Sequence, residues 1–426
     1  MFILTKGGTT MIKELSKGVR LNCIKSNKFK DICISINFIS KNNQMSATLR
    51  SLLSMMLVDR SNLYNTKQKM NQICDHLYGC TLGSRVVAYG KGHCVELRSK
   101  IINPVYIHEN HNIINDWLNF IHEIIFYPCL EQNVFDENIS ILESRIRRRE
   151  DDAQSYTISK VFEHVSKDEP LSIHVKGTVD CLNKCDLNAI KETYKRLIEN
   201  DRIEIVICGD FDENQMIKMI SSKLNFNERN TDLELNYLIK SNENGVKVEY
   251  KVQPQTNIAM MFATNTEIQD KNFPALKVAN AMFGQLPCSF LFRVVREENS
   301  LCYSISSHLI SYDGGCLVTT GIEKENVSKT IDLILEQLQK CQNGEFDDEL
   351  LETSKIMLVN ALKSSLDEMS SILGYALTNS LLNRNYPIEK NIEDVMKVTK
   401  EDCIEIFNRM KYLGTYVCQS EECDYE

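Results

Sequence analysis

An arginine and a tyrosine flank a short polar turn in the stretch Arg296-Glu297-Glu298-Asn299-Ser300-Leu301-Cys302-Tyr303. The apolar residues before the turn recur at helical spacing, and those after it are typical of the start of a strand. A guanidinium donates hydrogen bonds to carbonyl oxygens and a phenol adds an oriented O–H, so the pair is suited to holding a peptide chain. The alternative is a simple corner, in which Arg296 pairs with Glu297 or Glu298 and Tyr303 packs in the core.

No motif elsewhere in the sequence indicates a catalytic or metal-binding site. The eight histidines form neither H-E-x-x-H nor H-x-x-E-H. His108 and His111 form an H-x-x-H before a predicted helix, which we interpret as an exposed turn. Cys181 and Cys185 have no second cysteine pair nearby, so we interpret them as ordinary thiols. Because nucleophile, phosphate-loop and dinucleotide motifs are also absent, we predict no metal and no cofactor.

Length and composition indicate a globular protein with two or more domains. The chain has 426 residues, of which 43% are hydrophobic and 25% charged. Its net charge of −9 argues against nucleic acid as a partner, because phosphate binding needs a basic face. The 16 cysteines are scattered, the apolar run at the N-terminus is short, and no stretch has membrane-spanning length. We therefore predict a cytoplasmic protein without a membrane partner.

The two halves of the chain repeat one order of predicted elements. Residues 88–95 (Ala-Tyr-Gly-Lys-Gly-His-Cys-Val) correspond to residues 311–318 (Ser-Tyr-Asp-Gly-Gly-Cys-Leu-Val). This correspondence predicts an α+β fold made by internal duplication, in which each of two domains is a mostly antiparallel sheet with helices packed on one face. The predicted domains are residues 1–225 and 246–426, and the polar stretch 226–245 is the predicted linker.

The element order and several motifs together resemble the insulinase/pitrilysin family of zinc peptidases, the inverzincins. The stretch from Arg296 to Tyr303 is similar to the family's R-E-x-x-x-L-x-Y turn. Residues 205–212 (Ile-Val-Ile-Cys-Gly-Asp-Phe-Asp) are similar to the G-D-F-D ending of the family's first domain. The resemblance extends over nearly the whole chain, from Val19 to Cys418.

The resemblance implies that the family's zinc motif is lost. Its signature is H-x-x-E-H on a first-domain helix, where two histidines bind zinc and the glutamate activates water. When the following M-L-F of the family is aligned with residues 56–58, the three motif positions fall on Ser51, Ser54 and Met55. Neither serine nor methionine replaces a zinc-binding imidazole or a basic carboxylate. The downstream glutamate ligand of the family falls on residue 143, 144 or 145.

The resemblance also implies a function. In two-chain members of the family, one subunit carries zinc and a zinc-less subunit supplies the arginine and tyrosine that hold the peptide. Arg296 and Tyr303 are then substrate-binding residues, and the chain is a non-catalytic, bacterial, processing-peptidase-like subunit without a catalytic residue. Its expected partners are a peptide substrate and a zinc-bearing paralogue whose chamber it completes. The sequence does not distinguish this heterodimer from a homodimer of isolated chains.

Two other functions are kept as alternatives. Some bacterial zinc-less members of the family are named for the modification of translation elongation factor P, so an accessory or scaffold protein without a peptidase role is the second hypothesis. Burial of Arg296 and Tyr303 away from any cavity would favour it. An active zinc peptidase is the third, and the loss of three essential positions argues against it.

Overall fold

The computed structural model describes residues 2–5, 8–107, 112–230, 232–240 and 242–421. The chain forms two compact units. Unit 1 comprises residues 1–146, 174–234 and 364–387, and unit 2 comprises residues 147–173, 235–363 and 388–426. In the described ranges, no helix combines the length and the apolar character needed to cross a membrane.

Unit 1 is built on a seven-stranded sheet. Its strands are β1 (Phe2–Thr5), β2 (Gly8–Ser16), β3 (Val19–Lys25), β4 (Asp31–Lys41), β5 (Thr81–Tyr89), β6 (Gly92–Ile102) and β7 (Arg202–Gly209). Their order across the sheet is β1-β2-β3-β7-β4-β6-β5. All neighbours are antiparallel except β3 and β7, which are parallel.

Unit 2 is built on a five-stranded sheet that repeats the strand order of unit 1. Its strands are β8 (Val246–Val252), β9 (Thr256–Ala263), β10 (Cys302–Ile310), β11 (Gly315–Ile322) and β12 (Lys411–Glu421). The order β8-β12-β9-β11-β10 corresponds strand by strand to β3-β7-β4-β6-β5, and the parallel pair β8 and β12 corresponds to β3 and β7. The predicted α+β duplication is confirmed.

The helices are, in chain order, α1 (Gln44–Asp59), α2 (Lys67–His76), α3 (Ile113–Phe126), α4 (Gln132–Asp151), α5 (Ala153–Val165), α6 (Val179–Leu182), α7 (Leu187–Asn200), α8 (Glu213–Lys223), α9 (Phe273–Asn280), α10 (Val327–Gln342), α11 (Asp348–Ser365), α12 (Met369–Leu381), α13 (Ile388–Met396) and α14 (Lys400–Arg409). Two π-helical segments, Ala281–Gln285 and Phe292–Glu298, follow α9. Short 3₁₀ turns lie at Pro104–Tyr106, Pro170–Ser172 and Lys324–Asn326.

The core of each unit lies between its sheet and its helices. In β4, Ile32, Ile34 and Ile36 alternate into the core of unit 1, because successive side chains of a strand point to opposite faces. Helix α3 adds Trp117, whose indole Nε1–H donates to Ser99 Oγ at 2.7 Å and so satisfies its one buried donor. The corresponding core of unit 2 is formed by β9, β11, α9, α10 and α14.

Helices also lie on the second face of each sheet, in addition to the one helix-covered face that was predicted. Helix α5 packs against β9 and β12, and helix α12 packs against β7. In β9 the physical reason is an uninterrupted apolar run, Ile258 to Ala263, which presents apolar side chains to both faces. Val161 and Val165 of α5 cover one of those faces.

The observed units are not contiguous in sequence, unlike the predicted domains 1–225 and 246–426. The segment 147–173, which contains α5, clusters with unit 2, and the segment 364–387, which contains α12, clusters with unit 1. The predicted linker has no helix or strand in its described residues, but some of its side chains are anchored. Arg229 donates to the carbonyl oxygen of Ile198 at 2.9 Å, and Ile239 is buried in unit 2.

Candidate functional site

The turn between Arg296 and Tyr303 is held by hydrogen bonds to the end of a π-helical segment. The side-chain amide of Asn299 donates to the carbonyl oxygen of Val294 at 2.9 Å. The backbone N–H of Leu301 donates to the carbonyl oxygen of Val295 at 3.1 Å. Ser300 has a φ of 51°, in the left-handed region that costs a non-glycine residue free energy. A strained residue and a wide π-turn in one short segment are typical of functional positions.

Tyr303 lies in an irregular part of an edge strand. The pairing of β10 with β11 shifts register between Cys302 and Ile305, so Tyr303 and Ser304 lie in a β-bulge. Because β10 is the outermost strand of its sheet, the bulge turns the Tyr303 side chain towards solvent, where it is 86% exposed. The alternative that Tyr303 packs in the core is wrong.

Arg296 is held by aromatic rings rather than by carboxylates. The Cζ atom of its guanidinium lies 4.3 Å from the ring centroid of Phe292 and 5.8 Å from that of Tyr303. Within the described part of the chain, Arg296 forms no ion pair with a carboxylate, and Glu298 lies 3.7 Å from Arg293 instead. Stacking on aromatic rings orients a guanidinium and leaves its N–H donors free for carbonyl or carboxylate oxygens.

Cys302, next to Tyr303, does not offer a nucleophile. Burial raises the pKa of its thiol above the usual value, although the Coulombic effect of Arg296 lowers it in part. Since the thiolate is the reactive form of cysteine, the chemistry of this corner consists of hydrogen-bond donation and stacking.

The three residues that were predicted to stand at the zinc-motif positions have partners within the chain. Ser51 Oγ donates to the carbonyl oxygen of Val175 at 3.1 Å, and Ser54 Oγ donates to that of Ser51 at 2.8 Å. Met55 is buried in the hydrophobic core of unit 1. These three residues do not fit a zinc ion, because the hydroxyls already have partners and the thioether faces apolar neighbours.

The segment from His174 to Gly177 lies directly on α1. A Cβ atom added to Gly177 would lie 2.2 Å from Thr48 Oγ1, and the φ of Gly177 is +85°. The backbone N–H of His174 also contacts Gln44 Oε1 at 3.2 Å. This close approach places the carbonyl oxygen of Val175 within hydrogen-bond distance of Ser51.

A buried ionic network beside these positions was not anticipated from the sequence. Arg50 Nη1 lies 2.6 Å from Asp201 Oδ2, and Arg50 Nε donates to His93 Nδ1 at 3.2 Å. The other ring nitrogen of His93 lies 2.9 Å from the carbonyl oxygen of Val175, so neither nitrogen is available to a metal. Burial and the neighbouring Arg50 charge lower the pKa of His93 to about 4, so the ring is neutral at pH 7.

The remaining metal-binding candidates do not assemble a site in the described ranges. The candidate positions for the downstream ligand, residues 143–145, lie on α4, where Ser144 Oγ donates to the carbonyl oxygen of Ser140. His108 and His111 lie outside the described residues. Among the residues that are described, no three His, Cys, Asp or Glu side chains are grouped so that they could hold a metal ion.

Several known proteins are similar to this chain in sequence or in fold. Residues 184–358 match the family described as "Peptidase M16 inactive domain". A "Probable inactive metalloprotease YmfF" of Bacillus subtilis is 25% identical over 417 residues, which cover 96% of this chain and 98% of that protein. The crystal structure of a conserved protein from Enterococcus faecalis V583, with 25% identity, has a TM-score of 0.89 and covers 97% of this chain and 100% of that one. A peptidase M16 inactive domain from Pseudomonas fluorescens has the same fold, with a TM-score of 0.80 at 13% identity over 98% of this chain and 100% of that one.

Proposed function

We propose that this chain, an inactive homologue of the M16 zinc peptidases, is the peptide-binding subunit of a heterodimer in which a paralogous chain carries the zinc ion. Alone, the chain is not an active peptidase, because its sequence lacks H-x-x-E-H and its match is to the inactive domain of the family. Arg296 and Tyr303 supply its contribution to peptide binding. We also propose that the pair of subunits is bacterial and cytoplasmic, and that this chain completes the peptide chamber.

The observation that supports this proposal most directly is the state of Arg296 and Tyr303. The tyrosine is 86% exposed, and the arginine is oriented by two aromatic rings without a carboxylate partner in the described residues. A solvated guanidinium that only stabilises a corner is expected to pair with the nearest carboxylate, and two lie beside it in sequence. The free donors of Arg296 and the hydroxyl of Tyr303 suit the carbonyl oxygens of an extended peptide.

The edge position of β10 supports a peptide as the bound molecule. An edge strand presents backbone N–H and C=O groups to which an extended chain can add. An arginine beside that edge can orient the added chain by donating to its carbonyl oxygens, and it stabilises negative charge that develops on a carbonyl during cleavage. The zinc and its activated water belong to the partner in this proposal.

The proposal is tested by measuring cleavage of an unfolded peptide by three preparations. The purified chain alone is expected to be inactive, and its mixture with a zinc-bearing homologue that contains H-x-x-E-H is expected to be active. Arg296→Ala in the mixture is expected to lower kcat/KM by about 10- to 100-fold, since a hydrogen bond to a charged group contributes about 1.5–3 kcal/mol. Tyr303→Phe is expected to lower it less, because the ring that stacks on Arg296 is retained.

Arg293→Ala is the matched control for Arg296→Ala. Arg293 is an exposed arginine on the same π-helical segment and also stacks on an aromatic ring, that of Phe290. Its removal is expected to leave kcat/KM unchanged. Zinc-dependent cleavage by the lone chain, or equal effects of the two arginine variants, would contradict the proposal.

The accessory or scaffold role is separated from this proposal by the same mixture. A scaffold without a peptidase role predicts that the chain neither stimulates the zinc-bearing homologue nor binds an unfolded peptide. The burial of Arg296 and Tyr303 that would have favoured this role is not found, because Tyr303 is largely exposed. Peptide binding by the isolated chain, followed by fluorescence anisotropy, is the second readout.

A further inference from the structure

One edge of the sheet in unit 2 carries an exposed apolar face. Strand β8 is the last strand in the order, and in the described part of the chain it pairs with β12 alone. Alternate residues of β8 form a stripe on one side of the strand, and each is between 42% and 61% exposed: Val246, Val248, Tyr250 and Val252. Apolar side chains in such a row on an edge strand form a template for pairing with another strand.

The duplicated strand in unit 1 does not share this exposure. Leu21 and Cys23 of β3, which correspond to the apolar side of β8, are fully buried. Strand β2 pairs antiparallel with the outer edge of β3, and helix α8 packs on β3. In the described residues of unit 2, no strand pairs with the outer edge of β8, and its apolar stripe remains exposed. The two sheets therefore differ in what completes this edge.

We propose that β8 pairs antiparallel with β8 of a second copy of this chain, across a two-fold axis perpendicular to the sheet. The two five-stranded sheets then form one continuous sheet. The pleat requires that opposed residues point to the same side, so the apolar stripes of the two copies meet on one face. This surface is separate from the Arg296 and Tyr303 corner and does not depend on peptide binding.

The charges of β8 are complementary to those of a second β8. Lys247, Glu249 and Lys251 alternate with the apolar stripe. A two-fold axis at Val248 places Lys247 opposite Glu249 twice, and an axis at Tyr250 places Glu249 opposite Lys251 twice. An axis at Glu249 would oppose like charges, so the charge pattern selects the first two registers.

Glu249 is fixed in its charged form for this pairing. The hydroxyls of Tyr416 and Tyr156 both donate to its carboxylate, the latter at 2.8 Å. These bonds lower the pKa of Glu249 below its usual value, with that of Tyr416 contributing most. Lys251 is held in turn over the Tyr156 ring, with its Nζ 4.2 Å from the centroid. The charged face of β8 is therefore ordered before a second copy binds.

The oligomeric state of the full chain tests this proposal. One strand pair is a small interface, so we expect a weak dimer whose mass in sedimentation equilibrium rises with concentration. The double variant Val248→Lys/Tyr250→Lys places like charges along the stripe and is expected to weaken dimerisation at least tenfold. Ile356→Lys is the matched control, because Ile356 is an apolar residue of α11 in the same unit with 53% exposure. It is expected to leave the dimer unchanged.

Two single variants distinguish the registers. Lys247→Glu is expected to weaken a dimer centred on Val248, and Lys251→Glu one centred on Tyr250. Circular dichroism and thermal unfolding confirm that each variant is folded. A monomeric wild-type chain at all soluble concentrations would overturn the proposal, as would a dimer that is insensitive to the double variant. The proposal would also be overturned if the chain is monomeric and the double variant instead blocks binding of a zinc-bearing homologue, since β8 would then be the binding surface for that partner.

Discussion

A buried carboxyl group connects the polar stretch before β8 to the turn between β10 and β11. The carboxylate of Asp313 accepts a hydrogen bond from the Tyr237 hydroxyl. The hydroxyl oxygen of Tyr237 in turn accepts a hydrogen bond from the backbone N–H of Leu171 at 3.0 Å. Burial raises the pKa of Asp313 from 3.8 to about 6, which the Tyr237 bond opposes and nearby Glu169 reinforces. Compared with the unfolded chain, the folded chain therefore favours the protonated form of the Asp313 side chain.

The raised pKa predicts a dependence of stability on pH. Because the folded pKa is about 6 and the unfolded value is 3.8, the folded chain holds more protons between these values. This contribution to stability is present at pH below 3.8 and is lost as the pH rises through 6. Asp313→Asn mimics the protonated form, so it is expected to increase the free energy of unfolding at pH 7 by up to about 3 kcal/mol.

The measurement is the difference in free energy of unfolding between wild type and Asp313→Asn at several pH values. The difference is expected to grow from near zero at pH 4 to a plateau above pH 7. The exposed Asp332→Asn, on α10 of the same unit, gives the baseline for removing a carboxylate. A pH-independent difference would show that ionisation of Asp313 costs the fold nothing.

At the scale of elements, the close contact between the segment 174–177 and α1 depends on a glycine. Gly177 combines a φ of +85° with a contact that leaves no room for a Cβ atom, since backbone and side-chain atoms of Thr48 lie within 2.6 Å of it. Gly177→Ala is expected to lower the free energy of unfolding by about 2 kcal/mol or more, because both the backbone strain and the steric clash oppose the substitution.

Gly79 allows the two effects to be separated. It has a similar φ of +78°, but nothing lies within 4 Å of an added Cβ atom. Gly79→Ala is expected to cost about 1 kcal/mol from backbone strain alone. Denaturant unfolding of both variants measures the difference, and similar losses for the two would contradict the steric explanation of the contact at Thr48.

Sequence patterns predicted the elements better than their details. The hairpins 88–95 and 311–318 were aligned from their glycines and apolar residues, and they join corresponding strands in the two sheets. The helix before the turn at Asn299 was predicted from its periodicity, but its π-helical form was not. A π-turn differs from an α-turn by one residue, and its formation depends on hydrogen bonds that hydrophobic spacing does not report.

At the scale of the whole molecule, the absence of H-x-x-E-H from the sequence leads to a measurable expectation. The purified chain is expected to contain well below one zinc per molecule by atomic emission spectroscopy, and a chelator is expected to leave its melting temperature unchanged. The physical reason is that Ser51, Ser54 and Met55 have partners within the chain and that His93 uses both ring nitrogens. Stoichiometric zinc, with a melting temperature that falls in chelator, would support the third hypothesis, an active zinc peptidase.

The sequence by itself determined the architecture and the absence of the zinc motif. Apolar residues recur every two residues in a strand and about every four residues in a helix, and both patterns are local properties of the sequence. The strands, the helices and their duplicated order could therefore be identified before any contact was known. The H-x-x-E-H motif spans five consecutive positions, so its absence can be read directly from the sequence. The assignment of Arg296 and Tyr303 to a peptide-binding site came from the family resemblance and remains a prediction of function.

The tertiary structure alone decided which side chains meet and which are left exposed. Arg50 and Asp201 are 151 residues apart, and their buried ion pair depends on packing that no local pattern encodes. The stacking of Arg296 between Phe292 and Tyr303 depends on the π-turn and the bulge of β10. The stripe on β8 alternates as a half-buried strand does, and only the strand order shows that β8 is an edge strand without the cover present on β3.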